Sequence, residues 1–335
     1  MAKRSLSRRD FTKKGLIAVA ALGTAGLAGY SILSSKKAIT LNNYLRMGHC
    51  APSIMQTLLD INGISNPDMV LCSGALAGGI AGPDTECGVL TAPLMFISYR
   101  NENPETIPEK IKLILKAQSY VNTFNSVNGS VFCRNIRYRG PHSCRKVVCS
   151  FYKPYSNALK DTIILSKESL ESYSLVLEAF DDNNFHCAHN VLYSLENEIQ
   201  LTRDLLASSW IFLGGTALLN RTCGALTAGV IALSSETAKI ENSYSRVARM
   251  NRLIRNQKNE AMDDEINNFN RAISYGDELG TWFRSEFGFT SCYEIWRYDF
   301  SRPEDVEGFI SGKCIKQCAG IAEKVAQKVR MMLSR

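Results

Sequence analysis

After Cys50 the apolar positions fall at Ile54, Met55 and Leu58, and after Cys187 they fall at Val191, Leu192 and Leu195. Both sets lie four, five and eight places beyond a cysteine, which is the spacing of one helix face. Each cysteine is therefore expected in the first turn of an amphipathic helix, on its buried stripe, and Pro52 suits that turn. A second helix is expected in each half after Gly78-Gly79 and Gly214-Gly215. Asp84 and Thr85 offer caps for one, and Asn220 and Thr222 for the other. Cys87 and Cys223 would then stand at a helix N-terminus, where the dipole favours thiolate. The stretch from Lys167 to Asn184 also reads as helix. A polar helical stretch runs from about Glu236 to Asn268, with Arg246, Arg249, Arg252 and Arg255 at every third place. Such a stripe reads first as a solvated basic face, and second as a docking surface for a partner or anionic lipid.

The matching helices belong to a longer duplication. Gly78-Gly79, seven residues, then Cys87-Gly88-Val89-Leu90-Thr91-Ala92 returns as Gly214-Gly215, seven residues, then Cys223-Gly224-Ala225-Leu226-Thr227-Ala228. His49-Cys50-Ala51 returns as His186-Cys187-Ala188. Cys50 and Cys87 are 37 places apart, and Cys187 and Cys223 are 36. Each half then has a glycine-containing turn before a third cysteine, Cys133 or Cys292, and a fourth further on, Cys149 or Cys318. Two motifs in one order at near-equal separation make a tandem repeat. The expected architecture is mainly α, with two pseudo-symmetric cysteine-bearing repeats packed together. Their expected bounds are 38–166 and 167–335, with no Pro/Gly/Ser linker between them.

Composition changes this picture at one end only. The 335 residues can bury two ordinary cores. The net charge of +7 resides entirely in the first 37 residues, so the body is neutral and a nucleic-acid-binding role is not expected. That N-terminal stretch reads Ser7-Arg8-Arg9-Asp10-Phe11-Thr12-Lys13, then a mildly apolar run from Gly15 to about Leu33. The pattern resembles a twin-arginine export signal, cleaved or kept as an anchor. It implies a protein exported folded, in the periplasm or on the outer face of the membrane, with any cofactor already inserted.

Together these residues resemble the C-GCAxxG-C-C family of redox-active proteins. The second repeat fits with Cys187, Cys223-Gly224-Ala225, Cys292 and Cys318. The first departs, with Val89 for the alanine and Ala92 for the final glycine; Ala228 also replaces that glycine. The resemblance implies redox activity and no particular substrate. No C-x-x-C-H is present, so covalent c-type haem is not supported. Four thiolates per repeat suit an iron–sulfur cluster. Its candidate ligands are Cys50, Cys87, Cys133 and Cys149 in one repeat, and Cys187, Cys223, Cys292 and Cys318 in the other. Gly78, Gly79, Gly88, Gly214, Gly215 and Gly224 would bring backbone N–H groups to sulfur, or merely allow tight turns and close helix packing. Rival readings are a dithiol–disulfide couple with Cys87 and Cys223 attacking, structural disulfides, and zinc. Cys144 and Cys314 are possible substitutes for the fourth cysteine, and Cys72 reads as a free buried thiol. His49 and His186 read as packing residues beside the cysteines before they read as ligands; His189 and His142 carry no assignment. No nucleophile elbow, P-loop or dinucleotide fingerprint occurs. The expectation is an electron carrier or oxidoreductase subunit with a redox partner protein, rather than a stand-alone enzyme.

Overall fold

A computed structural model describes residues 36–137, 143–240, 243–256 and 259–335. The N-terminal segment read as an export signal, and His142, lie outside them. The described chain is helical, and its only β pairing is in isolated bridges. The first repeat runs α1 (Lys36–Met47), α2 (Cys50–Ile61), α3 (Pro67–Ser73), a 3-10 turn (Gly74–Leu76), α4 (Gly88–Arg100), α5 (Ile107–Asn128) and α6 (Cys133–Arg137). It closes with α7 (Ser143–Ser150) and α8 (Tyr152–Lys160). The second repeats this order: α9 (Lys167–Asp182), α10 (Cys187–Ser194), α11 (Arg203–Ser209), a 3-10 turn (Trp210–Phe212) and α12 (Gly224–Thr237). There α13 (Tyr244–Arg255) intervenes before α14 (Asn270–Phe287), α15 (Cys292–Trp296), α16 (Pro303–Ser311) and α17 (Cys314–Leu333). No described helix is long and apolar enough to cross a membrane.

The centre of the molecule is the pair α4 and α12. Every residue from Gly88 to Ser98, and from Gly224 to Ser234, is buried. A helix apolar on all sides must be covered on all sides. The repeats do this reciprocally, since α3 of the first packs on α12 and α11 of the second packs on α4. Ser234 Oγ donates to Leu71 O and accepts from the Ala75 amide, and Ser98 Oγ donates to Ala207 O. Pro93 sits inside α4, where it leaves the carbonyl four residues earlier without its helical donor. That carbonyl is Val89 O, and the buried Tyr120 hydroxyl of α5 donates to it at 2.9 Å.

The stretch read as a polar insertion does more than face solvent. Val247 and Met250 of α13 are buried, and the helix packs on α1 of the other repeat. Asn267 donates to Met47 O, and a Cβ on Gly48 would meet Met250 and Asn267 within 3.0 Å. The second repeat thus roofs the segment that leads into Cys50. Arg249 and Arg252 remain exposed, as a solvated basic face requires, while Arg246 donates to Asn268.

Candidate functional site

Cys50 and Cys187 are the first residues of α2 and α10, as their spacing predicts. Cys87 and Cys223 are themselves the N-caps of α4 and α12. The caps expected from Asp84, Thr85, Asn220 and Thr222 are not made. The residue before each cysteine is tied to a distant segment, Glu86 to Phe132 and Thr222 to Ser291, and the candidate caps bond elsewhere. Asp84 instead pairs with Arg134, Thr85 bonds Gly82 O, Asn220 donates to Asp299, and Thr222 is engaged by Glu86.

That extended pairing places the third cysteine. The Cys87 amide donates to Val131 O at 2.8 Å and the Cys133 amide to Thr85 O at 3.0 Å. In the second repeat the Cys223 amide donates to Thr290 O and the Cys292 amide to Arg221 O, both at 2.8 Å. The same two-bond clasp thus holds the second and third cysteines together in each repeat. The first cysteine arrives because α2 packs on α4 and α10 on α12 without a side chain between them. A Cβ on Gly88 would stand 2.9 Å from Cys50 Sγ, and one on Gly224 would stand 2.8 Å from Cys187 Cβ.

The electrostatics report which thiols share a site. Burial pushes Cys50 up to about 11 and Cys133 up to about 12, and raises Cys87 well above its ordinary value. After burial, the repulsive partners are Cys144 for Cys50, Cys50 and Cys133 for Cys87, and Cys50 and Cys144 for Cys133. In the second repeat burial raises Cys187 to about 12, and raises Cys318 further, against Cys187 and Cys223. The first-repeat group is therefore Cys50, Cys87, Cys133 and Cys144. Cys149 is on the same helix as Cys144, but acts only on Tyr44 among these groups. Of the two candidates for the fourth thiol, Cys144 is the one coupled to the other three, on α7, which packs on both α1 and α2. The second-repeat group is Cys187, Cys223, Cys292 and Cys318, with Cys314 beside Cys318. Cys72 lies apart, buried in the core.

One thiol stands out. Cys223 is held below the ordinary thiol range, first because Cys292 hydrogen-bonds to it and then because the amides of Leu226 and Ala225 face it. Its partner Cys292 is raised well above that range by the same hydrogen bond and by burial. One glycine of each pair faces a thiol: the Gly78 amide favours the Cys50 thiolate and the Gly214 amide that of Cys187. Gly214 begins a run of left-handed backbone through Leu218, with φ of 57°, 71°, 61°, 56° and 57°. Thr216, Ala217 and Leu218 each adopt a conformation that costs L-residues roughly 1–2 kcal/mol. Hydrogen bonds from Ala217 to Ile211 O and from Arg221 to Gly215 O hold the turn in place.

Both histidines before the first cysteines are spoken for. His49 Nε2 bonds Asn270 Oδ1, and burial holds the ring down to about 4. His186 uses Nε2 on Trp210 O and Nδ1 to cap α10 through the His189 amide. All eleven cysteines are free thiols. Among the described residues, no three His, Cys, Asp or Glu side chains gather closely enough to hold one metal ion.

Sequence reading missed Glu86. It is fully buried, its carboxyl accepts from the Thr222 amide at 3.1 Å, and Thr222 Oγ donates to its other oxygen. Glu86 and Thr222 are the residues just before Cys87 and Cys223, so equivalent positions touch. A pseudo-twofold axis runs between them, and the two thiol groups flank it. The available signal was a carboxylate at a position bracketed by two elements that recur in both repeats.

Residues 48–157 and 185–332 each match the model of one family, described as "Putative redox-active protein (C_GCAxxG_C_C)". The chain belongs to this family. Two matches in one chain show that it is a tandem C_GCAxxG_C_C protein, and the matched spans contain every cysteine of both groups. No curated protein and no solved structure matches it.

Proposed function

We propose that this C_GCAxxG_C_C protein is an electron carrier with one thiol-ligated iron–sulfur centre per repeat. The observation behind this reading is that four separate elements of each repeat bring four buried or half-buried thiols within electrostatic reach of one another, with the same backbone clasp in both. Cys50, Cys87, Cys133 and Cys144 would hold the first centre, with Cys149 displaced from the set by position. Cys187, Cys223, Cys292 and Cys318 would hold the second. Four thiolates are the ligand set that an iron–sulfur cluster takes. When bound, such a cluster supplies reversible one-electron transfer. The chain's own residues bury it, exclude water, and aim the Gly78 and Gly214 amides at its sulfur ligands, which raises the potential. The basic, apolar N-terminus supports export of the folded, loaded protein and a partner on the outer face of the membrane.

Anaerobic purification with iron and acid-labile sulfide analysis tests the reading. Iron and sulfide with a broad visible band are expected. A colourless, iron-free protein would sink the cluster.

The contact between Cys223 and Cys292 favours one second reading, a dithiol–disulfide couple. A depressed thiol at a helix N-terminus beside a protonated partner is arranged for attack and resolution. Iron-free protein that gains a Cys223–Cys292 disulfide on mild oxidation, mapped by mass spectrometry, would establish it.

A further inference from the structure

A cleft of about 720 Å³ opens between the repeats, beside the pseudo-twofold axis. Its wall includes Phe132, Thr222 and Ser291, the residues that immediately precede Cys133, Cys223 and Cys292. The cleft is therefore lined by residues next in the chain to cysteines of both thiol groups.

Three features of its lining point to one kind of occupant. Phe132, Phe289 and Tyr293 line it, and all three are among the exposed large apolar side chains of the molecule, at 39%, 42% and 47%. Aromatic rings left in water around one cavity supply faces for stacking. The lining cations Arg221 and Arg284 are in no ion pair among the described residues, and the Arg221 guanidinium stands 5.8 Å from the Phe132 ring centre. The lining carboxyl groups of Asp84 and Asp299 are matched to Arg134 and Arg302, while Glu294 accepts from Ser291. Finally, two buried polar atoms lack any partner here: Asn220 Oδ1, on a residue only 9% exposed, and Arg221 Nε. Burying an acceptor and a donor unmet costs about 1–3 kcal/mol each, unless a ligand meets them.

We propose that this cleft binds a small planar aromatic anion, stacked on Phe132 with its charge on Arg221 and a ring N–H on Asn220. That this ligand exchanges electrons with the adjacent centres rests on the redox reading above; the binding itself does not.

The test is titration of the purified full chain with FMN, followed by quenching of flavin fluorescence, with riboflavin as the uncharged control. FMN is expected to bind roughly tenfold more tightly than riboflavin, the value of one charge-assisted hydrogen bond. Arg221→Gln is expected to abolish that preference, and Arg284→Gln, at the rim, to reduce it. Phe132→Ala is expected to weaken both ligands alike. Circular dichroism confirms the fold of each variant. Absence of quenching up to millimolar FMN, equal binding of FMN and riboflavin, or variants that bind like the parent would each overturn the proposal. Absence of iron from the same preparation would count against the cluster and leave the binding result standing.

Discussion

One substitution made at two places tests the packing that assembles the site. Gly224 opens α12 where that helix crosses the start of α10. A Cβ added there would lie 2.2 Å from Phe212 O and 2.8 Å from Cys187 Cβ, whereas ordinary contact begins at 3.4 Å. Phe212 O is backbone and cannot swing aside, so α12 must withdraw by about 1 Å from the 3-10 turn and from Cys187. Overpacking a buried contact costs roughly 1–3 kcal/mol, and a clash with rigid backbone belongs at the upper end. Removing a helical glycine returns at most about 1 kcal/mol. Gly224→Ala is therefore expected to lose roughly 2 kcal/mol. Gly320, within α17, is exposed and has nothing within 4 Å of its Cβ position. There only the helix propensity remains, and Gly320→Ala is expected to gain about 0.5–1 kcal/mol. Urea unfolding of the reduced protein, compared through midpoint and slope, measures both. A Gly224→Ala variant as stable as the parent would refute the close approach of α10 and α12, and with it the placement of Cys187 against α12.

Other outcomes follow from the same geometry. Tyr120→Phe strands the Val89 carbonyl that Pro93 leaves open, and should cost about 1–3 kcal/mol in the same unfolding assay. Glu86→Leu should cost a similar amount by orphaning the Thr222 amide, whereas Glu86→Gln keeps an acceptor and should cost less; equal effects would argue against the carboxyl–amide bond. Cys144→Ser should lower the iron content or redox capacity of the first repeat, and Cys149→Ser should leave it unchanged; the reverse result would return the fourth place to Cys149. Cys72, pushed up to about 12 by burial, should resist alkylation at pH 8 in the folded protein and react once it is unfolded, as read by mass spectrometry.

The local part of this structure was open to view in the sequence. The offsets after Cys50 and Cys187 placed those cysteines in the first turns of α2 and α10, and the repeated glycine–cysteine segments marked the starts of α4 and α12. What escaped was set by contacts between distant segments. Thr85 and Thr222 carry good capping side chains, yet both lie in clasps whose partners, Cys133 and Ser291, are 48 and 69 places further on. Cys144 and Cys149 are five places apart on one helix, and only the docking of α7 decides between them. Nothing local marks Glu86, because the threonine that meets it comes from the other repeat.

Glu86 and Thr222 fill the same place in the two halves, and they face each other. A homodimer of one such half is obliged to set the same side chain on both sides of its axis. Two glutamates there would bury carboxyl against carboxyl, and two threonines would leave buried amides without so long-armed an acceptor. A single covalent chain escapes that obligation, and donor can answer acceptor where like would have met like. The join between the halves therefore has a head and a tail. Two sites that share a plan are thereby given different neighbours at their common border, a distinction that no symmetric pair of identical subunits can make.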